Sequence, residues 1–383
     1  MQPTQEKDCT LGVEVLAASL ELARGSWKIA LHDGKRDTPA VHTVASAQAG
    51  TRLAEAVAVI EAAKKKWALP EKTRVVVSYE AGQDGFWISR ALSKRGYEVL
   101  VVDPASIPVE RRARRAKTDR LDAIKLVLAL RAWLRGERDR MHVVRVPAED
   151  AEAQRHLTRD RGELQKEIGQ HRDRMRKLLR TVGCWDGVDD DFAGRLQRGD
   201  VRCHDGRALP PAMQERFERE GERLALVQAQ LAALEATLLE KLPAPVQARI
   251  SQLTALKAVG RVGAMRLVLE LFWRDFHNRR QVGACVGLVP QPYDSGESRV
   301  DQGISKQGNR RVRALLIEMA WFWLRYQPQS ELSKWFARRT QGSGPNKRRR
   351  RMAIVAVARR LAIALWRYLE QGVVPAGAVM KAA

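Results

Sequence analysis

The sequence predicts a protein of mixed class, with an N-terminal α/β domain followed by two mainly helical regions. Over residues 11–135, apolar strand-like segments alternate with amphipathic helix-like segments. Between residues 217 and 238, apolar side chains recur every seven positions, and helical patterns dominate after residue 251. A chain of 383 residues with 45% hydrophobic residues can form two or three domains, each with its own core.

The α/β domain is expected over residues 1–146. Two strands joined by a tight turn come first, followed by a helix, a buried strand, a second helix and a last apolar strand. The segments that we assign in this order are residues 11–22, 27–32, 53–67, 74–79, 84–95 and 98–102. This β-β-α-β-α-β order favours a mixed sheet with helices packed on it.

The middle region, residues 147–250, contains two long helical patterns. The first spans residues 152–181 and is highly charged with one apolar stripe, and the second carries Phe217, Leu224, Leu231 and Leu238 at heptad spacing. A glycine- and aspartate-containing link over residues 183–211 separates them. The pattern is typical of an antiparallel helical hairpin or of half of an intermolecular coiled coil, and the sequence leaves both open.

The C-terminal region, residues 251–383, is expected to be mainly helical. Helical patterns cover residues 253–259, 264–271, 303–325 and 348–371, the first two flanking a glycine turn. Trp321, Trp323 and Trp335 have helical neighbours, and we interpret them as core residues rather than as platforms for nucleic-acid bases.

The charge of the chain indicates a polyanionic partner. Lys and Arg number 68 against 45 Asp and Glu, a formal net charge of +23. Nucleic acid is the first candidate, because neutralising phosphates releases condensed counterions. A membrane is not expected, since no stretch approaches the ~20 uncharged apolar residues of a spanning helix. The polar N-terminus lacks the apolar core of a signal peptide, so we expect a cytoplasmic protein.

Four acidic residues stand out by their placement. Glu21 lies at the end of the first apolar strand, and Glu80 ends the strand of residues 74–79. Asp119 and Asp122 are three residues apart in a helix that Thr118 can cap, so both carboxylates can share a face. Such a cluster suits hard divalent cations such as Mg²⁺, and two cations could act on a phosphodiester. Glu14, on the same first strand, is a competing first ligand.

Basic residues are concentrated beside these acids and again towards the C-terminus. We expect them to hold phosphates in place, with a solvated helix face as the alternative for the later ones. The predicted nucleic-acid-binding residues are Arg111, Arg112, Arg114, Arg115, Lys117, Lys306, Arg310, Arg311, Arg313, Arg348 and Arg349.

Several segments together resemble the DEDD insertion-sequence transposases. They are residues 79–86 (YEAGQDGF), 111–123 (RRARRAKTDRLDA), 287–290 (GLVP), 293–296 (YDSG) and 303–309 (GISKQGN). These transposases are relatives of the Piv-type DNA invertases, and some are recombinases guided by a bridge RNA. The resemblance implies a RuvC-like (RNase H-like) N-terminal domain, a coiled-coil connector and a C-terminal transposase domain.

The resemblance also implies a composite active site. Its acids would be Glu21, Glu80, Asp119 and Asp122 with Mg²⁺, although the family usually has Asp at the first position. Its nucleophile would be Ser295, which would form a covalent phosphoserine intermediate; Ser298 and Ser305 are competing serines.

The expected function is therefore cutting and rejoining of DNA by an insertion-sequence transposase, with a guide RNA as a further partner. Recombination handles several strands, so we expect a symmetric dimer or tetramer. The alternatives are a RuvC-type structure-selective nuclease, which needs the acids but not the serine, and a catalytically decayed scaffold that binds nucleic acid.

Overall fold

A computed structural model describes residues 14–107, 118–295, 298–341 and 347–382 of the chain. The chain divides into two compact units, Met1–Ala148 and Glu149–Ala383. The first unit contains a five-stranded sheet, and the second is largely helical. Within the described ranges, no helix is both long and apolar enough to cross a membrane.

The sheet of the first unit has the order β3-β2-β1-β4-β5. Its strands are β1 (Val15–Leu22), β2 (Trp27–His32), β3 (Ala40–Val44), β4 (Arg74–Glu80) and β5 (Glu98–Val102). β1, β2 and β3 pair in antiparallel fashion, whereas β1, β4 and β5 run parallel. This mixed sheet confirms the predicted class and is compatible with an RNase H-like domain.

Helices cover both faces of this sheet. The helices α1 (Ala49–Lys66) and α2 (Trp87–Ser93) contribute to one core with Leu16, Ala18 and Leu20 of β1, and α3 (Asp119–Leu134) packs over Ala17 on the opposite face. Successive side chains of a strand point to opposite faces, so the odd-numbered residues of β1 face α3.

The strand β3 was not predicted from the sequence. It lies at the edge of the sheet, and His42 and Thr43 are exposed in it. An edge strand with exposed polar residues lacks the apolar run by which the other strands are detected, and this explains the omission.

Two long antiparallel helices open the second unit. They are α4 (Glu149–Thr181) and α6 (Pro211–Thr237), joined by a segment that includes the short helix α5 (Phe192–Gln197). Arg161 pairs with Glu235 and His171 contacts Glu220, so the two helices run in opposite directions. The chain thus forms a helical hairpin by itself, with Phe217 of the heptad series fully buried.

The rest of the second unit forms one larger core. Its elements are α7 (Ala244–Thr254), α8 (Arg261–Glu270), α9 (Arg279–Cys285), β6 (Pro290–Ser295), β7 (Ser298–Ile304), α10 (Arg310–Tyr326), α11 (Glu331–Thr340) and α12 (Lys347–Gln371). Leu253, Leu267, Leu316 and Leu361 lie at the centre of this core, each with no exposed surface.

The predicted helix over residues 303–325 is wrong in its first third. Residues 303 and 304 end β7, and residues 305–309 form a loop before α10 begins at Arg310. Gly303, Lys306 and Gly308 have φ angles of 82°, 56° and 77°, in the left-handed region that a right-handed helix excludes. The β6–β7 hairpin and α11 were not predicted either.

Candidate active site

Glu21 and Glu80 lie side by side at the C-terminal ends of β1 and β4, two adjacent strands in the interior of the sheet. β1 and β4 are parallel, and Leu20 pairs with Tyr79, so the next residue of each strand is one of the two glutamates. Ala17 and Val76, which precede them by four residues, pack against α3, so both carboxylates point to the α3 face. Neighbouring strands are about 4.8 Å apart, and both glutamates are half-buried.

Asp119 and Asp122 lie in the first turn of α3. The Thr118 hydroxyl accepts a hydrogen bond from the backbone N–H of Leu121 at 3.3 Å, which confirms the predicted cap. Asp119 is exposed, whereas Asp122 is half-buried and lies 3.3 Å from the Lys125 ammonium. A negative charge in the first turn also interacts favourably with the helix dipole.

A buried hydrogen bond ties this turn to β1. The Ser19 hydroxyl donates to the carbonyl oxygen of Ala123 at 2.7 Å, and Ser19 is completely buried. Ser19 precedes Glu21 by two residues on the same face of the strand, and Ala123 directly follows Asp122. The strand ends and the N-terminus of α3 therefore bring the four predicted acids to one edge and one face of the sheet.

The four carboxylates have the donor chemistry of a site for a hard divalent cation. Mg²⁺ and similar ions prefer oxygen ligands from Asp and Glu. Across the ranges that the structure describes, however, no three His, Cys, Asp or Glu residues are gathered closely enough to hold a metal ion. The four acids thus lie near the same strand ends and all offer carboxylate oxygens, but they do not form a complete set of metal ligands.

Glu14 occupies a different place. It precedes β1, forms an ion pair with Lys35, and lies seven residues before Glu21. At about 3.3 Å per residue, that separation is roughly 23 Å along the strand. Glu14 is therefore at the opposite end of the sheet from Glu80.

One further carboxylate near this edge was not singled out from the sequence. Asp103 directly follows Val102, which pairs with Glu80 across β4 and β5. Its carboxylate accepts a hydrogen bond from the backbone N–H of Ala105 at 3.0 Å, capping a short 3₁₀ turn. The position of an aspartate immediately after an apolar strand was the available signal.

The basic run next to these acids lies outside the described residues. It comprises Arg111, Arg112, Arg114, Arg115 and Lys117.

In the second unit, two of the motif segments cross each other in close backbone contact. The carbonyl of Gly287 accepts a hydrogen bond from the Lys306 N–H at 3.2 Å, and that of Cys285 accepts one from the Asn309 N–H at 3.1 Å. A Cβ atom on Gly287 would lie 2.0 Å from the carbonyl oxygen of Gln307, and one on Gly308 would lie 2.1 Å from that of Cys285. Both glycines have positive φ. Only glycine fits these two positions.

Asn309 joins this crossing to a buried carboxylate. Its side-chain oxygen accepts hydrogen bonds from the N–H groups of Arg311 and Val312 at 3.0 and 3.1 Å, which caps α10. Its amide nitrogen donates to Glu270 at 3.1 Å, and the Thr158 hydroxyl donates to the same carboxylate at 3.2 Å. Glu270 is 3% exposed and was missed in the sequence, although an acid among the apolar residues of α8 was a visible signal.

Ser295 is the last residue of β6, where it pairs with Ser298 of β7 next to the hairpin turn. The side chains of both serines lie outside the described part of the structure, as do Gly296 and Glu297. Ser305 is half-buried, and its hydroxyl oxygen has no hydrogen-bond partner among the described residues. The three competing serines thus all belong to the hairpin or to the loop that follows it.

The predicted cations of this region have different environments. Lys306 and Arg310 are exposed, and Arg311 is exposed but forms an ion pair with Glu163 at 3.0 Å. Arg313 is half-buried and donates to the carbonyl oxygens of Val286 and Gln307 at 3.0 and 3.1 Å. Burial, with a smaller contribution from Arg310, lowers the pKa of the Arg313 guanidinium. We call the loop of residues 305–309 the motif loop. The described contacts of Arg313 hold this loop close to Val286.

Arg348 and Arg349 are in the first turn of α12, and their side chains are exposed. They belong to the run of five cations from Lys347 to Arg351.

The first unit has a mixed five-stranded sheet with carboxylates at the ends of β1 and β4 and at the start of α3, and the second carries a separate glycine-rich motif loop. Comparison with known proteins shows the family to which the chain belongs. Residues 38–183 match a family model of DEDD transposases of the IS110 type, which includes Glu80, Asp119 and Asp122 but begins after Glu21. Residues 250–334, which include Ser295, match the transposase family IS116/IS110/IS902.

Individual relatives match over most of the chain. The y4rJ protein of Sinorhizobium fredii, which carries a transposase name, is 41% identical over 95% of this chain and 94% of its own length. The transposase for insertion sequence element IS1328 of Yersinia enterocolitica is 25% identical over 78% of this chain and 85% of its own length. The chain belongs to the IS110 family of insertion-sequence transposases, and it is a DNA transposase.

Proposed function

We propose that this transposase cuts and rejoins the DNA of its insertion sequence through a composite active site. Glu21, Glu80, Asp119 and Asp122 would bind Mg²⁺, and Ser295 would be the nucleophile. The observation that supports the acidic half is the side-by-side position of Glu21 and Glu80 beneath the anchored first turn of α3. DEDD transposases typically use a divalent metal, and four carboxylates match the ligand preference of Mg²⁺.

Glu21, rather than Glu14, is the first acid of this proposal. Glu21 is adjacent to Glu80, whereas Glu14 lies at the other end of the strand and is paired with Lys35. Glutamate retains the carboxylate of the aspartate that is usual in the family, but its longer side chain displaces the oxygens by about one bond length.

The chemical step is a transesterification at phosphorus. The Ser295 oxygen forms a bond to the phosphorus, the bond from phosphorus to the deoxyribose oxygen breaks, and the hydroxyl proton of Ser295 is transferred to that leaving oxygen. The phosphodiester is thereby exchanged for a phosphoserine ester of similar energy, which a second DNA end can attack to rejoin the strand. When bound, the metal supplies Lewis-acid stabilisation of the phosphoryl oxygens.

The carboxylates and the predicted cations have different tasks in this proposal. Asp119 and Asp122, on one face of α3, would orient the phosphodiester through the cation that they bind. Lys306 and Arg310 would hold the DNA backbone near the β6–β7 hairpin. Arg348, Arg349 and the basic run at residues 111–117 would bind further phosphates. Arg311 would contribute once released from Glu163, and Arg313 by holding the loop in shape.

The proposed organisation has three parts and further partners. Residues 1–146 form the RuvC-like domain, 147–250 a coiled-coil connector built on the hairpin of α4 and α6, and 251–383 the transposase domain. The protein would work in the bacterial cytoplasm as a dimer or tetramer, guided by a non-coding bridge RNA. Its charge of +23 suits either nucleic acid, since both present phosphates.

Matched variants test the two halves separately. Purified protein is incubated with a DNA carrying the element ends, and both cut strands and covalent protein–DNA adducts are separated on denaturing gels. We expect Ser295→Ala to abolish the adduct and strand transfer, with Ser298→Ala and Ser305→Ala retaining both. Cutting that persists without an adduct in Ser295→Ala would support the RuvC-type nuclease instead.

The acids have an internal control in Glu14. We expect Glu21→Gln and Asp119→Asn to abolish cleavage and to weaken Mg²⁺ binding measured by calorimetry, whereas Glu14→Gln leaves both unchanged. If the paired change of Asp119 and Asp122 to Asn leaves cleavage intact, the acids are structural. A wild type that binds DNA without cutting it under any divalent cation would be the decayed scaffold.

The guide requires a different measurement. RNA that co-purifies with the protein is sequenced, and strand transfer is compared before and after ribonuclease treatment. One enriched transcript from next to the element, together with loss of activity after treatment, is the expected result. Full activity after complete removal of RNA would show that the transposase selects DNA directly.

A further inference from the structure

Aromatic side chains are exposed on the outer face of α10. Trp321 and Phe322 are 41% and 43% exposed, and Tyr326, one turn further, is 41% exposed. Trp323 of the same helix is 1% exposed and donates from its indole nitrogen to the Ser330 hydroxyl at 2.9 Å. The sequence-based assignment of the tryptophans to the core is therefore right for Trp323 and wrong for Trp321.

We call the exposed residues Trp321, Phe322 and Tyr326, together with Arg325 and Arg350, the aromatic face. The rings of Phe322 and Tyr326 are stacked, with centroids 6.4 Å apart and planes at 16°. The Arg325 guanidinium lies 5.4 Å from the Tyr326 centroid. Arg350, from the first turn of α12, lies 6.0 Å from the centroid of Trp321. The basic run of α12 thus reaches the exposed tryptophan.

Charge decides which partner fits this face. Five consecutive cations, from Lys347 to Arg351, begin α12, and Arg338 and Arg339 end α11; all are exposed. Two acids are close by: Glu318, exposed on α10 one turn before Trp321, and Glu331, which is within 4 Å of both Lys334 and Arg338, so cations outnumber acids around the face. A second copy of this chain would bring like charges together, whereas a polyanion gains from every cation. The face is therefore complementary to nucleic acid rather than to another basic protein.

The rings further specify the form of the nucleic acid. A duplex presents phosphates and base edges and hides the base faces, so exposed rings contribute little to binding it. An unpaired strand can stack its bases on aromatic side chains while arginines contact its backbone. DNA is the nucleic acid on which transposases act, and a strand has to leave its complement before it can be joined to another DNA. We propose that the aromatic face binds single-stranded DNA by base stacking.

This site is distinct from the proposed cleavage site and does not require Ser295 or a metal. The exposed stripe of α10 runs from Arg311 through Glu318 to Trp321 and Arg325, positions that share one helix face. At 1.5 Å per residue, Arg311 and Arg325 are about 21 Å apart along the axis. A strand lying on the aromatic face could therefore continue along α10 towards Arg310, close to the motif loop.

The test compares binding of a fluorescent 20-mer of thymidine with binding of a 20-base-pair duplex by anisotropy, in EDTA to prevent cleavage. We expect Trp321→Ala to weaken binding of the single strand by about 5- to 150-fold, the range for loss of one stacking ring. Binding of the duplex should change less than about two-fold. Trp321→Phe should retain most of the affinity, because it keeps an aromatic ring.

Two controls make the result specific. Trp185 is 79% exposed and lies under Arg180 in the tip of the helical hairpin, so Trp185→Ala removes an even more accessible ring elsewhere. We expect no change in single-strand affinity for it. Arg350→Gln, an exposed change that cannot disturb the core, should weaken binding and reduce the salt slope by about 0.7, the value for one contact with single-stranded nucleic acid. The slope should not change in Trp321→Ala.

Several outcomes would overturn the proposal. An unchanged thymidine affinity in both Trp321→Ala and Arg350→Gln contradicts it, and so does an equal loss on the duplex. A loss confined to an oligouridine RNA would assign the face to RNA, and a changed sedimentation coefficient with unchanged DNA affinity would assign it to contacts between copies. All of these results are independent of whether Ser295 or the acids are catalytic.

Discussion

Replacing Asn309 with alanine should destabilise the second unit by more than the loss of a helix cap. Asn309 both caps α10 and donates to Glu270, a carboxylate that is only 3% exposed. Loss of a cap costs ~1 kcal/mol, within a range of about 0.5–2. A hydrogen bond to a charged group is worth about 1.5–3 kcal/mol. Together, the expected loss in the free energy of unfolding is about 2–5 kcal/mol.

The chain provides a matched control at the N-terminus of α9. Asn278 accepts hydrogen bonds from the N–H groups of Arg280 and Gln281 at 2.9 and 3.1 Å, the same capping geometry without a buried partner. Asn278→Ala should therefore cost only the cap, about 0.5–2 kcal/mol. Urea unfolding followed by circular dichroism measures both variants. Equal losses for Asn278→Ala and Asn309→Ala would refute the assigned role of the contact with Glu270.

Asn309→Asp separates the two contributions further. Aspartate keeps the cap but places a second carboxylate beside the buried Glu270, so like charges repel where a hydrogen bond stood. The variant should therefore lose at least as much free energy of unfolding as Asn309→Ala, although its cap is intact, as measured by urea unfolding at neutral pH. A loss no larger than that of Asn278→Ala would contradict the proximity of the two groups.

Three further predictions concern other parts of the fold. Gly308→Ala should prevent folding of the second unit or lower its free energy of unfolding several times more than Gly303→Ala does, as measured by urea unfolding. Both glycines have positive φ, but only at Gly308 would the added Cβ meet a carbonyl oxygen, at 2.1 Å. Ser19→Ala should cost about 0.5–1.5 kcal/mol and reduce DNA cleavage without changing DNA binding, whereas Ser78→Ala, whose contact is 3.5 Å long, should have less effect. Burial of Glu220 acts to raise its pKa, but hydrogen bonds from Arg174 and His171 outweigh it and lower the value. The stability contributed by Glu220 is therefore complete above its unfolded pKa of about 4.3 and lost as the pH falls below it, so thermal melting of Glu220→Gln should depend less on pH in that window.

The location of the acids could be predicted because it depends on local patterns. Glu80 follows an apolar run, and Asp119 and Asp122 follow a capping threonine, so each was placed at the end of an element without knowledge of its neighbours. The choice between Glu21 and Glu14 could not be made in the same way. It depends on the register of β1 against β4, and register is a property of strand pairing.

The elements that were missed have few local signals. The β6–β7 hairpin includes Pro290 and Pro292, which are unfavourable in strands, and β3 is an exposed edge strand. β3 forms because it pairs with β2, and β6 and β7 form by pairing with each other. Glu270, likewise, is recognisable as a partner of Asn309 only when α8 and the motif loop are packed together.

By itself the sequence determined the class of the fold, the basic character that selects a nucleic-acid partner, and the strand and helix ends that carry the acids. These properties follow from composition and from residues close together in the chain. The tertiary structure decided that Trp323 is buried and Trp321 exposed, although only one residue separates them in the same helix. The physical reason is that burial depends on which face of α10 the neighbouring helices cover: Val312, Leu316 and Trp323 recur at helical spacing on the covered face, whereas Trp321 lies on the exposed face with Glu318 and Arg325.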